Sequence, residues 1–431
     1  MMKIKDTKNI EKKDKKIKRE KKEKETTLLN RIKDKIKTKS RVSYGLLEVC
    51  IFSFIFMLFG IVLGYLFTYG RDPYTGKKMP KSMEEFISTY ENIKDNYYGD
   101  LDDKKLIDAA INGMIGSIED PYSSFMDEES ADEFNEDISG TYVGIGVTID
   151  YSENTNKIIE VSKGDVADKA GIKVGDIIVK VDGGDVSEVF GDDLSSLIRG
   201  EEGTDVTVTV KRGEEEIDFN LTRSKINLIS VNSRVITKND KKIGIIDIDR
   251  FASNTYNQFE KELKKLEKQN IDSLVIDVRD NLGGQLSQAR KILNLFFDKK
   301  TVLFQIESQK DKIKIKGTDN KTRSYPVAVI INNSSASASE VVAACFKDNY
   351  KKVYIVGDQS FGKGTVQKTM NLKSGSKVKY TVQRWLTPKG DWIEGEGIKP
   401  KYSVSNDETY YNDPTDENDK QLQKALDLLS K

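Results

Sequence analysis

The order of apolar and polar positions predicts helices in the first third of the chain. From Val49 to Gly70, 22 consecutive residues are uncharged and mostly apolar, enough for a helix of about 33 Å at about 1.5 Å per residue. A hydrocarbon core is about 30 Å thick, so this stretch predicts a transmembrane helix. Residues 82–136 place apolar positions at helical spacing between charged ones, typical of amphipathic helices that end near Asp120 and Pro121.

The pattern changes to short β-type runs between residues 137 and 225, such as TYVGIGVTID, DIIVKVDG and DVTVTVKR, separated by Gly/Asp turns. A small helix is predicted near Asp192–Ile198. From Ile226 onward, apolar strands such as SLVIDV and PVAVIIN alternate with helices, the first at Asn254–Gln269. That alternation predicts a layered α/β core. Residues 419–431 predict one more amphipathic helix.

Charge is unevenly distributed although the chain has 70 Lys/Arg and 70 Asp/Glu. Residues 1–41 contain 18 Lys/Arg against 7 Asp/Glu, so we interpret residues 1–44 as a charged arm; the alternative is a nucleic-acid-binding arm. The positive-inside rule places this arm in the cytoplasm and everything after Arg71 outside it. A cleaved signal peptide is less favoured because no A-x-A site follows the apolar run.

Histidine is absent from the sequence, which excludes Ser-His-Asp triads, Cys-His pairs and His-ligated zinc or haem sites. Any general base must then be Lys, a carboxylate, Tyr or a terminal amine. The two cysteines, Cys50 and Cys345, are too few for a disulfide framework, and we expect no structural disulfide. Cys345 is predicted to be a buried thiol, since no His activates it.

Three segments that follow predicted strands carry the candidate chemistry. The serine-rich run 332–340 (NNSSASASE) precedes a helix, and such a junction can hold both a nucleophilic hydroxyl and an oxyanion; a simple helix cap is the alternative. With no His, a serine nucleophile needs lysine as its base. Lys363 lies in an uncharged, glycine-flanked loop where burial can lower its pKa from about 10.4. Gly283 and Gly284 can aim a backbone N–H at an oxyanion.

Two other motifs are interpreted as decoys. Residues 357–363 match G-x-x-x-x-G-K, but Gly364 fills the position that must be Ser or Thr, and a strand-like run follows instead of a helix. We therefore expect no nucleotide. The Ser374-x-x-Lys377 spacing is found in penicillin-binding enzymes at a helix start, whereas here it lies between two strand-like runs and predicts a hairpin turn.

Taken in order, these motifs resemble the bacterial carboxyl-terminal processing proteases, also called tail-specific proteases. The resemblance covers residues 80–431 and rests on SSASASE, DQSFGKGTVQ, VRDNLGGQL, TPKGDWIEGEGIKP and a helical EDPYSSFM stretch. The run from Gly146 to Gly183 is similar to the family's PDZ domain. Leu282 stands where the family usually has Pro, and the 26-residue interval from Ser337 to Lys363 is one residue longer than usual.

The resemblance implies a role for each site residue. Ser337 would be the nucleophile, Lys363 the general base and Gln367 the residue that orients the lysine. The backbone N–H groups of Gly283 and Ala338 would form the oxyanion hole. In the PDZ domain, the N–H groups of Gly144, Ile145, Gly146 and Val147 would bind the carboxylate of a substrate tail. Arg199 would couple tail binding to assembly of the site; the alternative is a helix-end cation.

The implied fold is multidomain α+β, with an N-terminal transmembrane helix, a small helical segment, a PDZ β-sandwich-like domain and a layered α/β (crotonase-like) peptidase core. The predicted boundaries are a cytoplasmic arm 1–44, an anchor helix 45–70, a helical segment 71–136, a PDZ domain 137–225, a peptidase core 226–404 and a helical tail 405–431.

The expected protein is a single-pass serine endopeptidase of the bacterial cytoplasmic membrane, anchored through residues 45–70. Its Ser/Lys dyad would cleave envelope or secreted proteins near the C-terminus after the PDZ domain binds the free tail; the alternative is a catalytically silent PDZ scaffold. We expect no metal, organic cofactor or nucleic acid partner. The amphipathic helices 82–136 and 419–431 leave a homodimer open.

Overall fold

The computed structural model describes residues 22–24, 26–31, 33, 45–68, 77–152, 154–320 and 322–431. The chain divides into two compact units, residues 1–101 and 102–431. Because residues 1–21 and 34–44 are not among those described, most of the predicted basic arm lies outside the described residues. Residues 26–31 within the arm are helical.

From residue 46 onward, the described helices are α1 Leu46–Thr68, α2 Lys81–Asn96, α3 Asp103–Gly116, α4 Glu128–Ser139, α5 Val166–Ala170, α6 Gly191–Ile198, α7 Thr255–Lys268, α8 Leu286–Asn294, α9 Ala338–Asn349, α10 Glu408–Asn412 and α11 Lys420–Leu429. The strands are β1 Ser124–Met126, β2 Thr141–Gly144, β3 Val147–Asp150, β4 Lys157–Val161, β5 Ile177–Val181, β6 Gly184–Asp185, β7 Asp205–Arg212, β8 Glu215–Thr222, β9 Ser224–Asn227, β10 Val231–Lys238, β11 Lys241–Ile248, β12 Ser273–Asp277, β13 Val302–Glu307, β14 Lys312–Lys316, β15 Val327–Ile331, β16 Val353–Gly357, β17 Thr365–Asn371, β18 Lys377–Leu386 and β19 Tyr402–Ser403.

The first unit contains the apolar helix α1 and the amphipathic helix α2. Residues 46–65 of α1 have a mean hydropathy of 2.7 and none of them is buried. By length and composition this helix can cross a membrane, a property that an N-terminal signal sequence shares. Helix α2 has no buried residue and exposes Met83, Phe86 and Ile93, so its apolar stripe is uncovered.

The second unit corrects one prediction, because EDPYSSFM is not helical. Asp120 accepts hydrogen bonds from the Tyr122 N–H and the Ser123 hydroxyl, which makes a turn. Strand β1 follows and pairs antiparallel with β18. That partner lies about 250 residues later in the chain, so helical periodicity in the neighbouring segments could not indicate the pairing.

The predicted β-rich module is confirmed and spans residues 141–227. Its main sheet has the order β3-β4-β5-β7-β8 with antiparallel pairing, and β6 pairs with β5. Strands β2 and β9 form a separate antiparallel pair. Side chains such as Ile158, Ile178 and Val208 form the core of this module, and helix α6 packs on that core through Leu194. We refer to residues 141–227 as the β module.

The layered α/β core is also confirmed, whereas its crotonase-like character stays a prediction. Six strands have the order β10-β11-β12-β15-β16-β19, parallel except between β10 and β11. Helices α7, α8 and α9 pack on one face through Phe259, Ile292 and Phe346. Helix α11 covers the opposite face through Leu422 and Leu426. Because both faces are covered, β12 and β15 are buried at every position.

A second sheet lies beside this core, built around β18, which pairs with β1, β13 and β17. Strand β13 also pairs with β14. The predicted hairpin turn at SGSK is confirmed, since residues 372–376 connect β17 to β18. The strand-like run predicted after the G-x-x-x-x-G-K match is also confirmed, since β17 begins at Thr365, two residues after Lys363.

Helix α11 is held to the core by an ion-pair cluster. Arg279 Nη2 lies 2.6 Å from Asp277 Oδ2 and 2.7 Å from Asp419 Oδ2, and these side chains are nearly buried. Asp419 also caps the helix, since its Oδ1 accepts the N–H of Leu422 at 3.0 Å. The last helix is therefore anchored to the end of β12.

Replacing Asp419 by asparagine is expected to lower the free energy of unfolding by about 2 kcal/mol, because Arg279 loses a charged partner. Burial acts to raise the pKa of Asp419, but Arg279 holds it below its ordinary value overall. This contribution is therefore present above the ordinary pKa and is lost as the pH falls through the lowered one. Thermal unfolding of the full chain in detergent at neutral and acid pH measures it. Asp427→Asn is the control, since its carboxylate is 57% exposed; equal effects of both variants would contradict the anchoring role.

Candidate active site

Three loops meet at one edge of the six-stranded sheet. Strands β12, β15 and β16 are adjacent and parallel, so the segments that follow them, 278–284, 332–337 and 358–363, leave from the same side. Backbone hydrogen bonds join these segments. The N–H of Ala336 donates to Asn281 O at 3.0 Å, and the N–H of Phe361 donates to Ser335 O at 3.0 Å. The topology thus brings together the three segments that carry the candidate chemistry.

Ser337 lies at the turn into α9 with a strained backbone. Its φ is +53° and its ψ is −110°, a conformation that costs a non-glycine residue on the order of 1–3 kcal/mol. Gly283 packs directly against it, since a Cβ at residue 283 would lie 2.9 Å from Ser337 Cβ and 2.7 Å from Ala336 O. A glycine is therefore required there, and the half-buried serine is presented at a sharp corner.

The main residue that sequence reasoning missed is Glu340. Its fully buried carboxylate accepts hydrogen bonds from the N–H groups of Ser337, Gly362 and Lys363 and from the Ser360 hydroxyl, at 2.6–2.8 Å. Burial raises the pKa of Glu340, but the four donors oppose that shift, and four donors suit an anion. The spacing Ser337-x-x-Glu340 is that of a capping box, a signal that could have identified this residue.

Lys363 is half-buried beside Tyr122. Its Nζ lies 4.6 Å from the centre of the Tyr122 ring, and its carbonyl accepts the indole N–H of Trp385 at 2.8 Å. Within the described part of the chain, no hydrogen bond joins Lys363 Nζ to Ser337 Oγ. The backbone of the lysine loop is therefore fixed, while its ammonium group rests on an aromatic face.

The electrostatic surroundings of Lys363 favour its neutral form. Burial lowers the pKa of Lys363, and the positive charge of Lys379 lowers it further, while Glu394, Asp120 and Glu340 act in the opposite direction. The shift has the sign that a lysine base requires. The hydroxyl of Tyr122 donates to Glu394 at 3.2 Å, and burial, followed by this carboxylate, raises the pKa of Tyr122 to about 12.

Of the two predicted oxyanion donors, one already donates a hydrogen bond and the other has no acceptor among the described residues. The Gly283 N–H donates to Asn281 Oδ1 at 2.8 Å, so an oxyanion would have to replace that bond. The Ala338 N–H has no acceptor among the residues that the structure describes. Gln367 lies in the same cleft as Lys363, but its amide donates to the hydroxyls of Thr365 and Thr381, at 2.9 and 3.1 Å. It makes no described hydrogen bond to the lysine.

A cleft of about 790 Å³ opens over these residues, lined by Gly283, Ser337, Lys363 and Gln367 among others. Helix α4 forms part of one wall, and strands β17 and β18 form another. This volume suits a peptide segment, and the cleft holds a hydroxyl and an amine of lowered pKa. The arrangement can support nucleophilic attack on a carbonyl group.

The predicted tail-binding residues lie away from this cleft, in the β module. Gly144 ends β2 and Val147 begins β3, and between them the N–H groups of Ile145 and Gly146 have no acceptor in the described part of the chain. Arg199 is the residue directly after α6, and it forms an ion pair with Glu136 at 2.8 Å. Its guanidinium also lies 5.0 Å from the centre of the Tyr142 ring.

Two further observations concern the thiol of Cys345 and the acidic side chains. Cys345 is fully buried in α9, as predicted, and burial raises the pKa of its thiol. Among the described residues, no cluster of three or more Cys, Asp or Glu side chains is arranged to hold a metal ion.

Comparison with known families matches three parts of the chain. Residues 242–404 match peptidase family S41, residues 157–212 match a PDZ domain, and residues 69–130 match the N-terminal domain of the activating protease CtpB. The PDZ match lies within the β module, and the peptidase match contains Gly283, Ser337 and Lys363.

Individual relatives agree with these matches. A protein described as "Probable CtpA-like serine protease" from Staphylococcus aureus (strain COL) is 35% identical over 346 residues, 80% of this chain and 69% of that protein. One of the same description from Staphylococcus epidermidis is 34% identical over 369 residues, 82% of this chain and 74% of that protein. The solved photosystem II D1 C-terminal processing protease is 28% identical, covers 78% of this chain and 89% of its own, and has a TM-score of 0.46.

The predicted resemblance is thereby confirmed at the level of the family. The relatives are described as serine proteases, and the matched segments are a peptidase, a PDZ domain and the N-terminal domain of a protease. We conclude that this chain belongs to peptidase family S41 and is a serine protease of the C-terminal processing type, with a PDZ domain and a CtpB-type N-terminal domain.

Proposed function

We propose that this serine protease uses a Ser337/Lys363 dyad to cleave envelope or secreted proteins near their C-termini. The observation that carries the proposal is the convergence of Ser337 and a half-buried Lys363 of lowered pKa on one cleft. The sequence contains no histidine, so no imidazole base is available. A lysine that loses its proton readily is then the base that suits a serine nucleophile.

The reaction follows from these positions. Neutral Lys363 leaves the Tyr122 ring, accepts the Ser337 hydroxyl proton, and the serine oxygen forms a bond to the peptide carbonyl carbon. The Ala338 N–H binds the resulting oxyanion, and the Gly283 N–H joins it after release from Asn281. The lysine ammonium then protonates the leaving amine as the C–N bond breaks. Water hydrolyses the acyl-enzyme by the same proton transfers.

Recognition of the substrate tail is assigned to the PDZ domain. The N–H groups of Ile145 and Gly146 are without acceptors in the described residues, and the glycine has a φ of +83°. Successive N–H groups in such a loop can bind a terminal carboxylate. The ion pair of Arg199 with Glu136 links α6 of this domain to α4, which lines the catalytic cleft and so supports coupling between the two sites.

Anchoring in the membrane is assigned to α1, with the basic arm in the cytoplasm and the protease outside it. The length and hydropathy of residues 46–65 support the anchor, and the Lys/Arg excess before them supports the orientation. The uncovered apolar side chains of α2 support its use in a homodimer.

A serine-reactive fluorophosphonate probe tests the dyad against the silent PDZ scaffold. Full-length protein in detergent should be labelled on Ser337, with labelling lost in Lys363→Ala, because the hydroxyl then lacks its base. Ser334→Ala is the matched control, since this serine of the same loop does not line the cleft. Binding of a tail peptide without labelling or cleavage would favour the scaffold instead.

The rate of cleavage should rise with pH as Lys363 loses its proton. Since burial and then Lys379 lower the pKa of Lys363, the half-maximal point should lie below the ordinary lysine pKa of about 10.4. Lys379→Gln removes the second cause and should move that point to higher pH. Measuring kcat/KM against pH tests both statements, and a flat profile from about pH 5 to 9 would count against a lysine base.

A further inference from the structure

The hairpin of β17 and β18 places two lysines on the wall of the catalytic cleft. Side chains alternate along each strand, and Thr369, Asn371, Lys377 and Lys379 all line the cleft. Lys379 lies opposite Thr369 in the strand register, and Lys377 lies opposite Asn371. The two lysines are two residues apart on β18, so they project from the same face.

Neither lysine has a carboxylate partner among the described residues. Lys377 Nζ donates to the neutral amide oxygen of Asn371 at 2.9 Å. Lys379 Nζ lies 5.7 Å from the centre of the Phe134 ring. Both side chains are half-buried, so water screens their charges incompletely.

Two of the three other carboxylates that line the cleft have partners of their own. Asp137 pairs with Arg250 at 2.8 Å, and Asp280 accepts a hydrogen bond from Asn332 at 2.8 Å. Asp249, the remaining carboxylate of the lining, is not paired with either lysine. After burial, the positive charge of Lys379 is the second cause that lowers the pKa of Lys363. The wall formed by β18 is therefore cationic beside the dyad.

We infer that Lys377 and Lys379 form a subsite that binds a carboxylate of the peptide substrate close to the scissile bond. The inference rests on the proposed peptidase function of the cleft. A bound carboxylate would supply the counter-charge that both ammonium groups lack, and a charge-assisted hydrogen bond would strengthen its binding. The carboxylate comes either from an Asp or Glu side chain or from the free C-terminus of the segment that is released.

A peptide series measures this preference. The internally quenched peptides share one apolar sequence and carry Glu, Gln or Lys at a single position on either side of the scissile bond. Each is made with either a free C-terminal carboxylate or a C-terminal amide. Full-length wild type in detergent should cleave an anionic peptide with about tenfold higher kcat/KM than its neutral match. The ratio should fall as salt rises from about 0.05 to about 0.5 M. The Glu series and the free-terminus series distinguish the two sources.

Variants assign the preference to the lysine pair. In Lys377→Gln/Lys379→Gln the anionic-to-neutral ratio should fall to about one, and Lys379→Glu should favour the Lys peptide. Because the anionic-to-neutral ratio is taken within each variant, any effect of Lys379 on the pKa of Lys363 applies to both peptides and cancels. Lys368→Gln is the matched control, since this exposed lysine lies on β17 outside the cleft lining, and it should keep the wild-type ratio.

Binding separates failure of the subsite from failure of the proposed function. Fluorescence anisotropy of the same peptides on Ser337→Ala needs no cleavage, and it should show tighter binding of the anionic peptide. Preferred binding without cleavage by wild type would support the subsite and contradict the peptidase mechanism. Equal binding of anionic and neutral peptides, or an unchanged ratio in the double variant, would overturn the subsite.

Discussion

Replacing Ser337 by alanine is expected to lower kcat on the order of 10⁴-fold or more, since Ser337 is the only serine among the described residues that line the cleft. Lys363→Ala should have a similar effect, and so should Lys363→Arg, because a guanidinium does not lose its proton in this pH range. The double variant should be no slower than either single one, as expected of groups that act as a unit. Cleavage of a quenched peptide by full-length protein measures these values.

The matched control for these variants is Ser334→Ala, which removes a hydroxyl from the same loop and should keep kcat within about twofold. Thermal unfolding of each variant checks that the fold is retained. A Lys363→Ala protein that keeps a tenth or more of the wild-type kcat would contradict the dyad. Loss of activity in Ser334→Ala alone would indicate that the wrong serine has been assigned.

Glu340→Gln is expected to lower kcat about 100-fold and the free energy of unfolding by about 3 kcal/mol. The fully buried carboxylate accepts four donors, two of them the N–H groups of Ser337 and Lys363. A glutamine has one acceptor oxygen, and its NH₂ group would face N–H groups that already need an acceptor. The strained backbone of Ser337 and the lysine loop would then lose their common support.

A positioning role predicts that KM changes less than kcat, because the variant alters the dyad rather than the walls of the cleft. Glu396→Gln is the control, since it makes the same change on an exposed residue of a neighbouring loop and should alter neither kcat nor unfolding measurably. A Glu340→Gln protein that unfolds earlier but keeps full kcat when folded would show that this carboxylate supports stability alone.

Elements with strong local patterns were predicted close to their observed bounds. The apolar run before the serine cluster forms β15, the helix expected at 254–269 is α7, and the predicted terminal helix is α11. Their burial pattern repeats with the period of the element itself, so it is readable in the sequence. The segment 119–126 was predicted wrongly because its strand is defined by pairing with β18, far away in the chain.

The candidate chemistry of the site was proposed from residue types. A chain without histidine that carries serine and lysine at the ends of apolar strands restricts the nucleophile and base to few side chains. The parallel order of β12, β15 and β16 then follows from alternation of strands and helices, and it brings the three loops together. The cleft is therefore lined by Gly283, Ser337 and Lys363, one residue from each loop.

Composition and periodicity alone were sufficient for the apolar helix α1, the β module, the layered α/β core and the exclusion of histidine as a base, because each depends on residue types or on residues at short spacing. The burial of Glu340, the position of Lys379 beside Lys363 and the bond from Gly283 to Asn281 required the folded chain. A pKa or a hydrogen bond depends on which groups lie within a few ångströms. For Lys363 and Glu340 those groups come from separate strands and loops, and only tertiary packing places them together.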